Sequence, residues 1–405
     1  MRKIVVNYAV FCASVFLAMS KPALSICLLS SAHEPLDERL YHHFAKTFAQ
    51  AGHRVTILCA TEFLQKEENG IVWDSFEGNF MRPSAKIRIF RQKLTFHKPD
   101  IVLSQEPLPT LAGYLYKTNA GKKVKLIYDI TEWHPSQTQL RKYPNFLKRC
   151  WQGLVLACFN LFSAMLANAF VYGEMAKRFP YRFLFPFKKS TVVGYYPENE
   201  LFVQNMFVPK SENDEWVLGY TGIVNEERGM FRFLEAVHFF SKTHPSVRLR
   251  LLMVVWFENE AFKTQFETKL AALKNVKVTL YPKLPLLEFC EKIGEMDICF
   301  DLRKANWENN NSLPIKIFYY MASSKPVIYT RLKAIVNEVP QISEFGHLVD
   351  ASNSQEVSEA IAKYVFQPQV YKRHCEQAKS FYNSRYNWKL ISPNLLRFVE
   401  KLYHD

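Results

Sequence analysis

Ser25-Ile26-Cys27-Leu28-Leu29 is an apolar run too short for a helix, and in residues 39–51 beyond it Leu40, Phe44, Phe48 and Ala51 fall on one helical face. Gly52 ends that helix, and residues 55–59 form a second short apolar run. Strand, helix and strand in this order make the unit from which parallel sheets are built. Working outward, residues 86–90, 101–104, 125–128 and 169–172 read as further strands, with Asp100 and Asp129 at strand edges. A polar stretch, Lys210-Ser211-Glu212-Asn213-Asp214-Glu215, then breaks the pattern. A second series starts afresh, with strands at 216–221, 247–255, 277–281, 297–301 and 326–329 and helices at 230–241 and 315–323. The fold class is therefore α/β, with two doubly wound Rossmann-like domains, residues 21–208 and 216–385, joined by a linker at 209–215. Ligands of such sheets sit outside the carboxyl ends of the strands, so the expectation is two domains facing a cleft to which each contributes.

The 405 residues suffice for two domains of ordinary size. With 48% hydrophobic and 22% charged residues and a mean hydropathy of -0.14, the chain is too polar for a multi-span membrane protein and too apolar to be disordered. The abundance of Phe (33) over Gly (13) excludes fibrous and low-complexity classes. A net charge of +14 favours an anionic partner: nucleic acid, anionic lipid or a phosphate-bearing substrate. The cysteines, at 12, 27, 59, 150, 158, 290, 299 and 375, include no Cys-x-x-Cys pair, which argues against zinc and for a reducing compartment.

Met1-Arg2-Lys3 followed by the mostly apolar residues 4–19 has the shape of a secretory signal, with Ala18-Met19-Ser20 as a poor cleavage site. Three readings of residues 1–20 stay open: a misplaced start with translation beginning at Met19, a membrane anchor, or an export leader.

Two loops of the second half carry the chemistry of an anion site. Tyr220-Thr221-Gly222-Ile223 ends a strand, and the chain continues through Glu226-Glu227-Arg228-Gly229 into a helix. A glycine there lets backbone approach a bound phosphate, and the amino end of the helix favours negative charge. In Asn309-Asn310-Asn311-Ser312-Leu313-Pro314-Ile315-Lys316, Ser312 can cap the following helix and Pro314 fits its first turn, which would aim amide groups at an anion. Lys316, Arg303, Lys304 and Arg228 make four cationic groups able to surround a diphosphate. Asp-x-Asp occurs nowhere, so the expected site uses cations and helix dipoles rather than a metal held by paired carboxylates.

In the first half, His33, Asp37 and Arg39 follow the first strand, Gln105-Glu106 follows the strand ending at Ser104, and Thr131-Glu132-Trp133-His134 follows the strand ending near Asp129. All lie at carboxyl strand ends and suit a hydroxylated acceptor, with Glu106, Glu132 or His134 as proton-transfer groups. Residues 141–190 hold nine Lys or Arg against one acidic residue, Glu174, among many Phe, Trp and Leu. This mixture suits an anionic membrane surface better than nucleic acid, for which no motif is present. The uncharged run 151–172 has the length of a membrane span, but Asn160, Ser163 and Asn168 interrupt it, and a buried helix followed by a strand is expected.

These residues bear a resemblance. His33-Glu34-Pro35-Leu36-Asp37-Glu38-Arg39 with Ala51-Gly52-His53-Arg54-Val55 resembles the opening of family-4 glycosyltransferases, and Ile127-Tyr128-Asp129-Ile130-Thr131-Glu132 resembles their Tyr-Asp-x-His-Glu segment. Leu313-Pro314-Ile315-Lys316-Ile317-Phe318-Tyr319-Tyr320-Met321-Ala322, with Lys325-Pro326-Val327-Ile328, is similar to their donor-site helix, and Tyr386-Asn387-Trp388 looks like the start of their terminal helix. The resemblance implies the GT-B architecture, with residues 386–405 packing back on the first domain. It further implies metal-free transfer of a sugar, with retained configuration, from a UDP- or GDP-linked donor to a glycan or lipid-linked acceptor in surface polysaccharide synthesis, on the cytoplasmic face of a membrane. On it Arg228 and Lys316 would be catalytic, and Gly222, Asn311, Ser312, Leu313, Pro314 and Tyr319 would hold the donor. His33, Asp37, Arg39, Glu106, Glu132 and His134 would bind the acceptor. The sequence departs from the family at Asn311 and Tyr319, where the family has two glutamates, at Ile223, where it has a basic residue, and at Thr131, where it has His. Those departures motivate one alternative, a non-catalytic glycosyltransferase-like scaffold, and a further alternative is a nucleotide-sugar epimerase, which can share this architecture.

Overall fold

The computed structural model describes residues 22–202, 208–211 and 213–405, and the readings of residues 1–20 lie outside them. Contacts divide the chain into two compact units. One runs to Asp129 and includes Phe159–Phe170 and Val399–Asp405, and the other comprises Ile130–Cys158 and Val171–Phe398.

The first sheet has eight strands: β1 (Ser25–Ser30), β2 (Arg54–Cys59), β3 (Leu64–Glu68), β4 (Ile71–Ser75), β5 (Ile101–Ser104), β6 (Lys125–Ile130), β7 (Ala169–Tyr172) and β8 (Lys189–Val192). Their order is β3-β4-β2-β1-β5-β6-β7-β8. β1 runs parallel to β2 and β5, β2 to β4 and β5 to β6, while β3 turns back antiparallel on β4. Every residue of β1 is buried, because a parallel strand is covered on both faces, and so its sequence shows no alternation. Asp37 caps the helix after β1 by accepting from the amides of Arg39 (2.9 Å) and Leu40 (3.2 Å). That helix, α1, is wound as a π-helix over Glu38–Ala45 and as an α-helix over Lys46–Gln50. Leu40, Phe44 and Phe48 are fully buried along it as their spacing predicts, and Gly52, at φ 86°, ends it.

Three expectations are corrected. Residues 86–90 are not a strand; they lie in α2 (Pro83–His97), where Phe90 and Leu94 pack inward one helical turn apart. The β3–β4 hairpin was not anticipated, although Asn69 and Gly70, at φ 51° and 76°, make the two-residue turn that joins such strands. The third concerns α3 (Phe146–Leu166), which was expected to be buried. Of its 21 residues only Asn160, Ser163 and Ala164 are, while Trp151 and Leu154 are 63% and 57% exposed. The polar residues that break its apolar run are its attachments. Tyr128 donates from its hydroxyl to Asn160 Oδ1 at 2.8 Å, and Ser163 donates to the Pro107 carbonyl at 3.1 Å. A shorter helix, α4 (Met175–Leu184), follows β7.

The second sheet contains β9 (Trp216–Val224), β10 (Leu249–Phe257), β11 (Val276–Tyr281), β12 (Ile298–Asp301), β13 (Val327–Thr330) and β14 (Gly346–Val349), in the order β11-β10-β9-β12-β13-β14 with every pair parallel. Trp216, Leu218 and Tyr220 bury one face of β9 against Phe233 and Val237 of α5 (Met230–Thr243), and Val217 packs on the other side with Ile317 and Phe318 of α6 (Lys316–Ala322). α7 (Lys333–Glu338) and the terminal α8 (Trp388–His404) complete the elements used below. In each sheet the strand order reverses beside the first strand, and the reversal marks where a ligand is best received: past β1 and β5 in one, past β9 and β12 in the other.

Candidate functional site

Four charged side chains gather past β9 and β12. Asp301, the last residue of β12, is buried and accepts two hydrogen bonds from Arg303 Nε, at 2.9 and 3.1 Å. Lys316 begins α6 and extends to the end of β9, where its ammonium donates to the Thr221 carbonyl and stands 3.7 Å from Asp301 Oδ2. Gly222 makes room for it. A Cβ there would come within 2.9 Å of Lys316 Nζ, and the residue's φ of 129° suits glycine alone. The Arg228 backbone is fixed from both sides, its amide donating to Asn225 Oδ1 at 2.9 Å and its carbonyl accepting from the Tyr220 hydroxyl. Gly229 follows at φ 86° and passes so close to Leu302 that an added Cβ would lie 1.9 Å from its carbonyl oxygen. Glycine is therefore what allows the β9 loop to lie against the β12 loop.

The charges do not balance: Arg228, Arg303 and Lys316 surround one buried carboxylate. Burial works to raise Asp301, but the charges of Arg303 and Lys316 outweigh it and hold the carboxyl below the usual range. Lys316 is lowered from 10.5 to about 8, by burial first and then by Arg303 and Arg228, with Asp301 pulling the other way. Arg228 is lowered chiefly by the Arg303 guanidinium beside it. Two cationic charges are thus held close together in excess, and an anion of charge two would relieve them.

A second set of carboxylates lies nearby in sequence terms to neither loop. Glu174, at the start of α4, receives the Leu313 amide and the Lys177 ammonium. Glu338, at the end of α7, accepts from the Ala176 amide at 3.3 Å. Burial and the Glu174 charge push Glu338 up from 4.5 to about 7. The segment after β6 is tied to the loop preceding α6: the Trp133 indole donates to the Asn311 carbonyl at 3.0 Å, Gln137 N–H donates to Glu308 at 2.8 Å, and the Trp133 and Trp307 rings lie 5.2 Å apart. His134 is lowered by burial, against the pull of Glu132. Glu132 itself is exposed.

Past β1 and β5, Glu106 accepts from the Ser30 hydroxyl (2.7 Å) and the Ser31 amide (2.8 Å). His33 stands between two carboxylates, 3.2 Å from Asp37 and 3.7 Å from Glu106. Burial would raise Asp37, but the hydrogen bond and charge of His33, with the amides of Leu40 and Arg39, keep it below the usual range.

A scan of family models and a search of curated proteins find no match to the sequence. Solved structures do match the fold. A sucrose-phosphate synthase from Thermosynechococcus elongatus superimposes with a TM-score of 0.70 at 12% identity, over 94% of this chain and 99% of that one. A glycosyltransferase from Rickettsia africae gives 0.67 at 12% identity, over 94% and 99%. HepE of Anabaena, solved in complex with UDP-glucose, gives 0.66 at 14% identity, over 93% and 100%. The fold is that of the GT-B glycosyltransferases.

Within this GT-B fold the residues singled out from the sequence separate into groups. Gly222, Arg228 and Lys316 come together, joined by Asp301 and Arg303. Ser312 does not cap α6, whose cap position is Ile315 without a side-chain hydrogen bond, and the Leu313 amide is taken by Glu174. Pro314 lies just before that cap position rather than in the first turn, although its carbonyl receives the Ile317 amide at 3.2 Å. Asn311 spends its side-chain amide on the Trp307 carbonyl at 2.7 Å. Tyr319 is buried among Phe202 and Phe289, with ring centroids at 5.6 and 5.8 Å, as an aromatic side chain in an apolar environment must be. His33, Asp37 and Glu106 cluster, but Arg39 forms a two-pronged, fully buried ion pair with Asp129, at 2.6 and 2.7 Å, and is part of the core. Sequence reading missed Asp301, Glu174 and Glu338. Asp301 had a signal, since it ends a predicted strand as Asp129 does, whereas Glu174 and Glu338 acquire their meaning only from partners 139 and 162 residues away.

Proposed function

We propose that the protein is a retaining, metal-independent glycosyltransferase of family 4 that moves a sugar from a UDP- or GDP-linked donor to a glycan or lipid-linked acceptor in surface polysaccharide synthesis. The observation that carries this reading is the excess of positive charge formed by buried Arg303 and half-buried Arg228 and Lys316 around buried Asp301 at the switch point of the second sheet. The acceptor hydroxyl attacks the anomeric carbon on the face the diphosphate leaves, the bond to the diphosphate oxygen breaks, the hydroxyl proton passes to that departing oxygen, and Arg228 and Lys316 stabilise the remaining charge on the leaving group. His33, Asp37 and Glu106 form the candidate acceptor-binding set in the other unit. The basic and aromatic segment 141–190 supports a position on the cytoplasmic face of a membrane, where a lipid-linked acceptor would be met.

Calorimetry with UDP and GDP is the first test. Binding to the wild type, weakened about 10- to 100-fold in Lys316→Ala and in Arg228→Ala, supports the reading, and transfer of labelled sugar to a lipid extract completes it. A protein that binds neither nucleotide is not such an enzyme. One observation favours a non-catalytic scaffold instead: Tyr319, where the family has a carboxylate, is packed in the core. Nucleotide binding without transfer to any acceptor is its signature, and conversion of the donor with no acceptor present would mark an epimerase.

A further inference from the structure

Helix α3 presents an apolar face that the described residues do not cover. Leu147, Trp151, Leu154, Cys158, Leu161 and Met165 are all exposed, and they follow one another at alternating spacings of four and three. Phe146, Val155 and Phe162, 72%, 42% and 46% exposed, widen this stripe on both shoulders. It is the one helix among the described residues that is long and apolar enough to cross a membrane.

Two facts decide what covers it. The helix cannot cross a bilayer without breaking its own attachments, because Asn160 and Ser163 are buried and hydrogen-bonded to Tyr128 and Pro107. Nor does it resemble one partner of a coiled coil. No charged residue occurs between Cys150 and Leu166, so nothing flanks the stripe to set register with a second helix, and the exposed face is wider than a narrow seam. Charge lies at its amino end, in Lys142, Lys148 and Arg149. α4 and the residues after it repeat the mixture in another form, with Phe179, Phe183 and Phe187 67%, 70% and 98% exposed and Arg178, Arg182 and Lys188 set among them. Apolar side chains that enter the acyl boundary, with cations at headgroup depth, are the features of an interfacial helix.

We propose that α3 lies in the plane of an anionic lipid leaflet as a non-spanning anchor, with its stripe immersed and its amino-terminal cations among the headgroups. This deepens the function proposed above by naming the lipid-facing element, and it rests on that reading only for which side of the membrane is involved. The test uses the full chain and vesicles of phosphatidylcholine with and without phosphatidylglycerol. The wild type is expected to sediment with the anionic vesicles, less so at high salt, and the double variant Leu154→Glu, Phe162→Glu to bind at least about tenfold more weakly with unchanged circular dichroism and sedimentation. A blue shift of tryptophan emission on adding vesicles, absent in Trp151→Phe, reports immersion of the stripe itself. Undiminished vesicle binding by the double variant overturns the proposal, as does a failure of the wild type to bind. So does a wild-type dimer that the double variant dissolves, since a second copy would then be the occupant. UDP binding is measured on the same samples, so a loss of the donor reading and a loss of the anchor are seen separately.

Discussion

Lys316 is held at about 8 by burial and by two neighbouring guanidiniums, and on the proposed function donor binding would depend on pH in a definite direction. A bound diphosphate stabilises the ammonium, so binding takes up a proton when the pH is near 8 and weakens as the pH rises further. Calorimetry of UDP between pH 7 and 9 should show that decline, and Lys316→Met should abolish it while lowering affinity by about 10- to 100-fold, the range for a hydrogen bond to a charged group. Glu338 gives a prediction about stability. Its folded-state value of about 7 lies above the ordinary 4.5, so the protonated form stabilises the fold fully below 4.5 and that contribution is lost as pH rises through 7. In urea denaturation, Glu338→Gln should gain on the wild type at pH 8 and not at pH 4. Asp129→Ala leaves Arg39 buried without its partner, and should cost about 3–5 kcal/mol by the same measurement. How much of this was legible depends on where the partners lie. Arg228 and Lys316 stand out in the sequence because cations beside strand ends have few other uses. Arg39 looked equally suited to a ligand, and only its pairing with a residue 90 positions away consigns it to the core.

Among the elements, strands buried on both faces were the most legible, because their apolar runs tolerate no interruption. Five of the six strands of the second sheet were read to within three residues, and β14 was missed. α2 was misread since Lys86-Ile87-Arg88-Ile89-Phe90 alternates over too short a window for the helical period to show, and the longer pattern to Leu94 decides it. α3 was located correctly and its surroundings were not, for an apolar helix looks the same in sequence whether protein or lipid covers it. At the β9–α5 turn the demand on the backbone is explicit. Gly229→Ala must place a methyl group on the Leu302 carbonyl at a left-handed backbone angle. We expect it to lower stability by roughly 2–5 kcal/mol, the sum of the conformational and overpacking costs, and to abolish UDP binding. A melting curve and a titration on one preparation check both.

At the scale of the whole molecule, two units of contacts and a ligand assigned to only one of them predict unequal responses to heat. Scanning calorimetry with UDP at about a hundredfold excess over its dissociation constant should raise one transition by roughly 5–10 °C and leave the other in place. The arrangement of sheets was legible as a whole because the strand–helix alternation restarts after residue 215. The hairpin was not, although it sets what one border of the first sheet shows to solvent. β3 closes one border of the eight-stranded sheet with Gln65, Lys66, Glu67 and Glu68, all exposed, and Lys66 and Glu68 pair at 2.9 Å. A border so hydrophilic offers a poor template for docking another polypeptide edge to edge. Remove residues 64–68, and β4 would show its unsatisfied amides to every neighbouring copy, an edge on which further chains would accrete.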